Sequence, residues 1–358
     1  MKMKITGTGS ALPGAVVTNT QLTEWMDTSD EWIRERTGIA ERRLSTGETV
    51  ASLAAKACRK ALEQAGRTAE EVDMILLATC SPEYLLPCCA CQVQQEIGAV
   101  NAVAFDLNAA CSGFLFGLTT ANAYIQSGMY RRILVVGSEV LSKLMDWEDR
   151  STCILFGDGA GAVLAEAVED EETGAAGDRS EAAGGEAETA GNESGLTDGA
   201  SGLIGSVQGS DGSRGMVLKC RERLIKNPLY TETAEETEAE AEGFFVEMDG
   251  QAVYRFATRQ VPACIKEVLE KTGLSVEDID LFILHQANVR IIEAVAKRLG
   301  ADIGKFPMNL DRVGNMSSAT IPVLLDELNR EGRLHRGDKL VLSGFGAGLT
   351  YGACVLVW

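Results

Sequence analysis

The sequence predicts an α/β fold made of two similar halves, and three observations carry that expectation. Short apolar, β-branched runs alternate with longer segments of helical period. The alternation stops at an acidic stretch near the middle of the chain and then resumes with units of the same kind. Each half ends in a glycine-rich segment, GDGAGAVLAEAV in the first and GFGAGLTYGACVLVW in the second, and both read as closing hairpins.

The elements follow from their periods. In the first half DMILLATC (73–80), VAFDLN (103–108) and RILVVGSEV (132–140) read as buried strands, being short, apolar and rich in branched side chains. ASLAAKACRKALEQAG (51–66) and SGFLFGLTTANAYIQSGM (112–129) read as helices between them, and LPCCACQVQQEIG as a helix start packed with small residues. In the second half VYRFATRQVPACIKEVLEKTG and VRIIEAVAKRLG read as helices, with IDLFILHQA and KLVLSGFGAG as strands. The early GTGSALPG lacks the G-x-G-x-x-G spacing and Pro13 interrupts a helix start, so no dinucleotide fingerprint is expected.

A chain of 358 residues, 45% hydrophobic, can bury a large core. Its net charge of −19 is concentrated: residues 166–198 carry eleven acidic side chains against one Arg, and residues 231–242 carry six Glu and no base. Both stretches are poor in aromatic and β-branched residues and are expected to be solvated insertions. The predicted organisation is a first half over 1–167, an acidic insertion over 168–205 and a second half over 206–358 with an acidic loop at 231–242. The remainder is nearly neutral and has no basic stripe, which excludes a nucleic-acid role. No apolar run is long enough to span a membrane, and MKMKITGTGSALPG lacks the apolar core of a signal peptide, so a cytoplasmic address is expected. Ten cysteines are then expected as free thiols. Cys88 and Cys91 form a C-x-x-C without a second pair, too few ligands for a structural zinc site, and neither metal nor nicotinamide cofactor is expected.

The chemistry concentrates in three places. Cys111, in NAACSGFLFG, follows a strand, opens a helix and is flanked by small residues that admit a substrate, so the helix N-terminus is expected to favour its thiolate. His285 ends the strand IDLFILHQAN; the other of the two histidines, His335 in EGRLHRGD, reads as surface. Asn315 stands between Gly314 and a hydroxyl-rich run. Taken alone, His285 and Asn315 fit a structural role as well as a catalytic one. With Cys111 they suggest thiol-based acyl chemistry.

DTSDEWIRERTGIAERR, AFDLNAACSGFLFGL, ILFGDGAGAV, HQANVRII, LDRVGNMSSATIP and GFGAGLTYGA, in this order, resemble the β-ketoacyl-acyl carrier protein synthase III family of the thiolase superfamily. The resemblance implies a five-layer αβαβα fold from two fused halves, a homodimer, and a condensation of a short acyl-CoA, most simply acetyl-CoA, with malonyl-acyl carrier protein. It implies Cys111 as nucleophile, His285 and Asn315 as donors to the malonyl thioester carbonyl, and an oxyanion hole from the backbone N–H groups of Cys111 and Ala347. Ala347 departs from the family's usual glycine. Trp32, Arg36, Thr37, Arg150, Gly250 and Asn288 match CoA-binding positions. Arg255, Gln286, Arg290, Lys297 and Arg298 match the carrier-protein docking surface, and Leu86 lies near a pocket-gating aromatic. The CoA thioester is a substrate, so no bound cofactor is implied. Related readings are a condensing enzyme priming a specialised polyketide pathway, a hydroxymethylglutaryl-CoA synthase-like protein, whose Glu signature is absent, and a non-catalytic partner subunit, which would have lost Cys, His or Asn.

Overall fold

Neighbouring residues along single strands feed different cores, and this period of two sets the layers of the molecule. The structure is a computed structural model and describes residues 1–169, 201–221 and 244–358. The first half comprises β1 (Lys2–Ala11), β2 (Ala15–Thr18), α1 (Asn19–Leu22), α2 (Asp30–Thr37), β3 (Glu41–Leu44), α3 (Val50–Ala65), β4 (Met74–Ala78), α4 (Cys89–Ile97), β5 (Val103–Leu107), α5 (Gly113–Gln126), β6 (Arg132–Val140) and β7 (Asp158–Val168). The second comprises β8 (Gly202–Ser210), β9 (Leu218–Cys220), β10 (Val246–Met248), α6 (Gly250–Thr272), β11 (Leu281–Leu284), α7 (Val289–Leu299), α8 (Leu310–Val313), α9 (Thr320–Arg330), β12 (Lys339–Gly346) and β13 (Thr350–Val357).

The two large sheets repeat one plan. The first has the order β1-β7-β6-β4-β5 and the second β8-β13-β12-β11. In both, the first three strands pair antiparallel and the next pairing, β6 with β4 or β12 with β11, is parallel. The expected duplication is therefore present in topology and in strand direction. Only β5 has no counterpart among the described residues.

Side-chain alternation then stacks five layers. In β6, Ile133 and Val135 join the buried cluster that contains Phe114, Leu118 and Ile125 of α5 and Leu324 and Leu328 of α9. Leu134 and Val136 join the opposite cluster with Leu53, Ala57 and Ala61 of α3 and Val93 of α4. Leu340 and Leu342 of β12 face the same central helices, whereas Val341 packs with Val261 and Ile265 of α6 and Ile292 and Val295 of α7. The order is thus α3/α4, sheet, α5/α9, sheet, α6/α7, the five-layer thiolase-like arrangement. Helices α5 and α9 are buried between two sheets, and these are the helices beside which the site is built.

Two expectations need correction. GDGAGAVLAEAV is not a hairpin: Asp158–Val168 is one continuous central strand between β1 and β6. Its glycines serve close approach instead, since a Cβ on Gly161 would lie 2.6 Å from the backbone nitrogen of Val323 at the start of α9. In the second half GFGAGL does form the turn between β12 and β13. The acidic insertion expected over 168–205 is also too wide, because β7 includes Val168 and β8 begins at Gly202, whose backbone packs on Met3. The acidic loop at 231–242 lies outside the described residues.

Gly161→Ala forces a methyl into that backbone contact and is expected to destabilise the protein by ~1–3 kcal/mol. Chemical unfolding monitored by circular dichroism checks it; an unchanged midpoint would mean that α9 shifts away freely.

Candidate active site

Cys111 is delivered by a strained connection. After β5, Asn108 Oδ1 accepts the Ala110 N–H at 3.1 Å, and Ala110 adopts φ +45°, a left-handed conformation uncommon for a residue with a Cβ. One 3₁₀ turn, Ala110–Ser112, then leads into α5 and places Cys111 at its N-terminal end. The loop is latched to the second half: the Ser112 and Thr350 hydroxyls lie 2.6 Å apart, and Thr350 Oγ1 is 3.1 Å from both Ala109 O and Ala347 O.

Burial pushes the Cys111 thiol up to about 12, opposed by a hydrogen bond from Ser317. This corrects the expectation that the helix end favours the thiolate. A rise of that size corresponds to ~4 kcal/mol, whereas a helix terminus contributes ~0.3–2 kcal/mol, so desolvation wins.

His285 follows the last residue of β11 and is buried; its Nδ1 lies 2.7 Å from Thr320 Oγ1, and its ring meets Phe345 edge-on at 5.6 Å. Burial lowers its pKa to about 3, so the imidazole is neutral at physiological pH. Asn315 is held by its backbone, donating to Leu155 O at 2.9 Å and accepting from Gly157 N at 2.9 Å. Gly314 before it takes φ +68°, which a side chain would resist. Asn315 Oδ1 accepts the Ser317 N–H at 2.8 Å, which leaves the Nδ2 amide as the group Asn315 can offer to a ligand.

Cys111, His285 and Asn315 line one cavity of about 230 Å³. Its wall is apolar, with Ile154, Leu155, Phe156, Val253, Ile291 and Phe345. The second half closes on Cys111 at Gly346, where a Cβ would lie 2.6 Å from the Cys111 nitrogen. Ala347 begins the following turn and has no positive φ, so its backbone does not require glycine.

All six expected CoA-binding residues line the same cavity. Arg36 and Arg150 place their guanidinium carbons 4.8 and 5.1 Å from the Trp32 ring centre, within cation–π range. Thr37 is buried and its hydroxyl donates to Ile33 O. Asn288 caps α7 and donates to Arg36 O at 3.0 Å, which ties α7 to α2. Arg36, Arg255 and Arg290 meet at a second, open hollow that shares Gly250, Tyr254 and Asn288 with the cavity, making the entrance basic. Lys297 and Arg298 are exposed near the far end of α7 and line neither hollow; Arg298 donates to Thr258 O.

Gln286 corrects the docking assignment. It is fully buried, donating to Leu284 O at 2.8 Å and accepting from Asn309 N at 3.2 Å, so it braces the loop from within. Leu86 does not line the cavity and is 86% exposed. Among the described residues no cluster of three or more His, Cys, Asp or Glu could hold a metal ion, and Cys91 of the C-x-x-C donates to Ala104 O. The residues that the sequence reading missed are Ser317, Thr320, Phe345 and Thr350, which contact Cys111, His285 and Asn315 or their loops; the hydroxyl-rich run after Asn315 was the available signal for Ser317 and Thr320.

A buried cysteine at a helix start, a neutral His and an Asn, set at the junction of two duplicated halves, define a thiolase-fold condensing enzyme. Residues 105–182 match the family described as 3-oxoacyl-[acyl-carrier-protein (ACP)] synthase III, and residues 269–358 match that family's C-terminal part. The chain is 44% identical to the β-ketoacyl-[acyl-carrier-protein] synthase III of Clostridium acetobutylicum, covering 99% of this chain and 98% of the relative. It is 46% identical to that of Synechococcus sp. strain WH7803, covering 98% and 95%. The crystal structure of 3-oxoacyl-[acyl-carrier-protein] synthase III from Aquifex aeolicus superposes with a TM-score of 0.84 at 38% identity, covering 99% of this chain and all of that one. The chain belongs to the β-ketoacyl-acyl carrier protein synthase III family.

The depressed pKa of His285 has a pH signature. Between about 3 in the folded state and 6.5 unfolded, the unfolded chain binds the extra proton. His285 therefore contributes stability that is present above pH 6.5 and is lost as pH falls toward 3. In NMR of nitrogen-15 histidine-labelled protein, the His285 ring should show no titration from about pH 5 to about pH 9; a midpoint near 6.5 would contradict a desolvated ring.

Proposed function

We propose that the cavity runs a two-step condensation on Cys111. The chain is an acyltransferase that initiates fatty acid synthesis. In the first step the Cys111 sulfur attacks the carbonyl of a short acyl-CoA, most simply acetyl-CoA; the carbon–sulfur bond to CoA breaks, and CoA leaves with the thiol proton. In the second, malonyl-acyl carrier protein loses CO2, and the electron pair of the broken bond becomes an enolate on the thioester oxygen. The enolate carbon then attacks the acyl-enzyme, the Cys111–acyl bond breaks, and the released thiolate takes up a proton.

The single observation that carries this reading is the set of neutral groups around one apolar cavity. Asn315 has spent its acceptor on Ser317 N, and His285 is uncharged, so each can serve as a hydrogen-bond donor without placing a full charge in the site. Donors aimed at developing charge in a water-poor pocket are the strongest form of stabilisation available here. The apolar wall works in the same direction, because it penalises the malonyl carboxylate and favours its loss as neutral CO2. Cys111 N–H and Ala347 N–H are assigned to the tetrahedral oxyanion, supported by the contact of Gly346 with Cys111.

Trp32, Arg36, Thr37, Arg150, Gly250 and Asn288 would take the CoA portion of the acyl donor. Arg255 and Arg290 at the entrance would meet the acidic carrier protein, with Lys297 and Arg298 contributing to steering at longer range. We assign the protein to the cytoplasm and to a homodimer. Tyr84, Leu85 and Leu86 are 60%, 70% and 86% exposed, and β5 is a free sheet edge with Val103 47% exposed, an arrangement that a second copy would cover.

His285→Ala and Asn315→Ala should still accept acetyl from acetyl-CoA, yet lose malonyl decarboxylation by on the order of a hundredfold, the usual cost of one oxyanion donor. The two half-reactions are assayed separately. Equal loss in both would mean that the pair sets the thiol or the site's shape.

A further inference from the structure

We infer that Thr320 is the positioning residue that makes His285 a donor, by donating a hydrogen bond from its hydroxyl to Nδ1 and so holding the ring hydrogen on Nε2. The inference rests on the reading that His285 donates to the enolate. A neutral imidazole carries one N–H, and which nitrogen bears it is set by the hydrogen bond at the other. Among the described residues the partner of His285 Nδ1 is Thr320 Oγ1, at 2.7 Å. For Nε2 to donate into the cavity, Nδ1 must accept, and Thr320 must give.

The hydroxyl has a competing acceptor, Ser317 O at 2.9 Å. That carbonyl already receives the backbone N–H of Thr320, so turning the hydroxyl toward the ring leaves no buried group unpaired. Rotation the other way would require Nδ1–H and would present a bare Nε2 lone pair to the cavity, the wrong polarity for an enolate oxygen. The position is rigid: Thr320 is fully buried at the first turn of α9, and Ser317, whose carbonyl it can touch, is fixed at φ +47° by the same loop that orients Asn315. One short segment, Asn315–Thr320, therefore aligns both proposed enolate donors.

The chain has only two histidines, which makes the tautomer directly readable. In nitrogen-15 histidine-labelled wild-type protein near neutral pH, His285 should show the Nε2–H tautomer. An Nδ1–H ring would overturn the inference whatever the kinetics. Thr320→Val, which keeps the shape and removes the hydroxyl, should give a mixed or reversed tautomer and slow malonyl decarboxylation by about tenfold to a hundredfold, with acetyl transfer to Cys111 changed less than about threefold. Thr320→Ser should restore the wild-type tautomer and most of the decarboxylation. A Thr320→Val protein with an unchanged tautomer and an unchanged rate would also overturn it. Failure of the parent reading is seen separately, as normal decarboxylation by His285→Ala.

Discussion

Two backbones meet at Cys111 and Gly346 with no side chain between them, and the active site depends on that contact. A Cβ at position 346 would stand 2.6 Å from the Cys111 nitrogen, so the β12–β13 turn of the second half can reach Cys111 only because the residue there is glycine. The approach is what puts the backbone of Ala347 beside Cys111 and lets Thr350 bond the loop on either side of the gap. The site draws on both halves: Cys111 lies between β5 and α5, His285 follows β11, and Asn315 precedes α9. Duplication thus supplies two sheet ends that converge, and the central helices α5 and α9 hold them at fixed separation.

Burial sets the electrostatics of everything at that junction. It raises the Cys111 thiol to about 12 and lowers His285 to about 3, leaving both groups uncharged at neutral pH. Neutral Cys111 and His285 suit the proposed reaction, whose charge is brought in by the malonyl carboxylate and moved onto a thioester oxygen. Arg36 and Arg150 also line the cavity, and Arg36 meets Arg255 and Arg290 at the adjoining open hollow. The global charge of −19 does not contradict a basic entrance.

The sequence disclosed local patterns well and tertiary partners poorly. Strands β4, β5, β6, β11 and β12 and helices α3, α5, α6 and α7 were readable because each carries its own local pattern, whereas β7 read as a hairpin and β8 began inside the expected insertion. Cys111 was readable because small neighbours and a strand-to-helix step are local features. The glycines of GDGAGAV misled, since they answer to α9, whose start at Thr320 lies far along the chain, and nothing local distinguishes a glycine needed for close approach from one needed for a turn. Gln286 misled in a similar way: adjacent to His285 in HQAN, it turns inward to Leu284 O and Asn309 N, a direction set by tertiary packing. The thiolate expectation failed because a helix terminus can be seen in a sequence and desolvation cannot. Thr320 was visible only as one hydroxyl in a run of several, and its pairing with His285 exists only in the fold.

The central claim is that Cys111, and no other of the ten thiols, carries the acyl group. Intact-protein mass spectrometry after exposure to acetyl-CoA tests it most directly. The wild-type chain should gain one acetyl group that malonyl-acyl carrier protein removes, and a folded Cys111→Ala chain should gain none. An equal adduct on Cys111→Ala would contradict the account, because the junction of the two halves would then not be where the chemistry occurs.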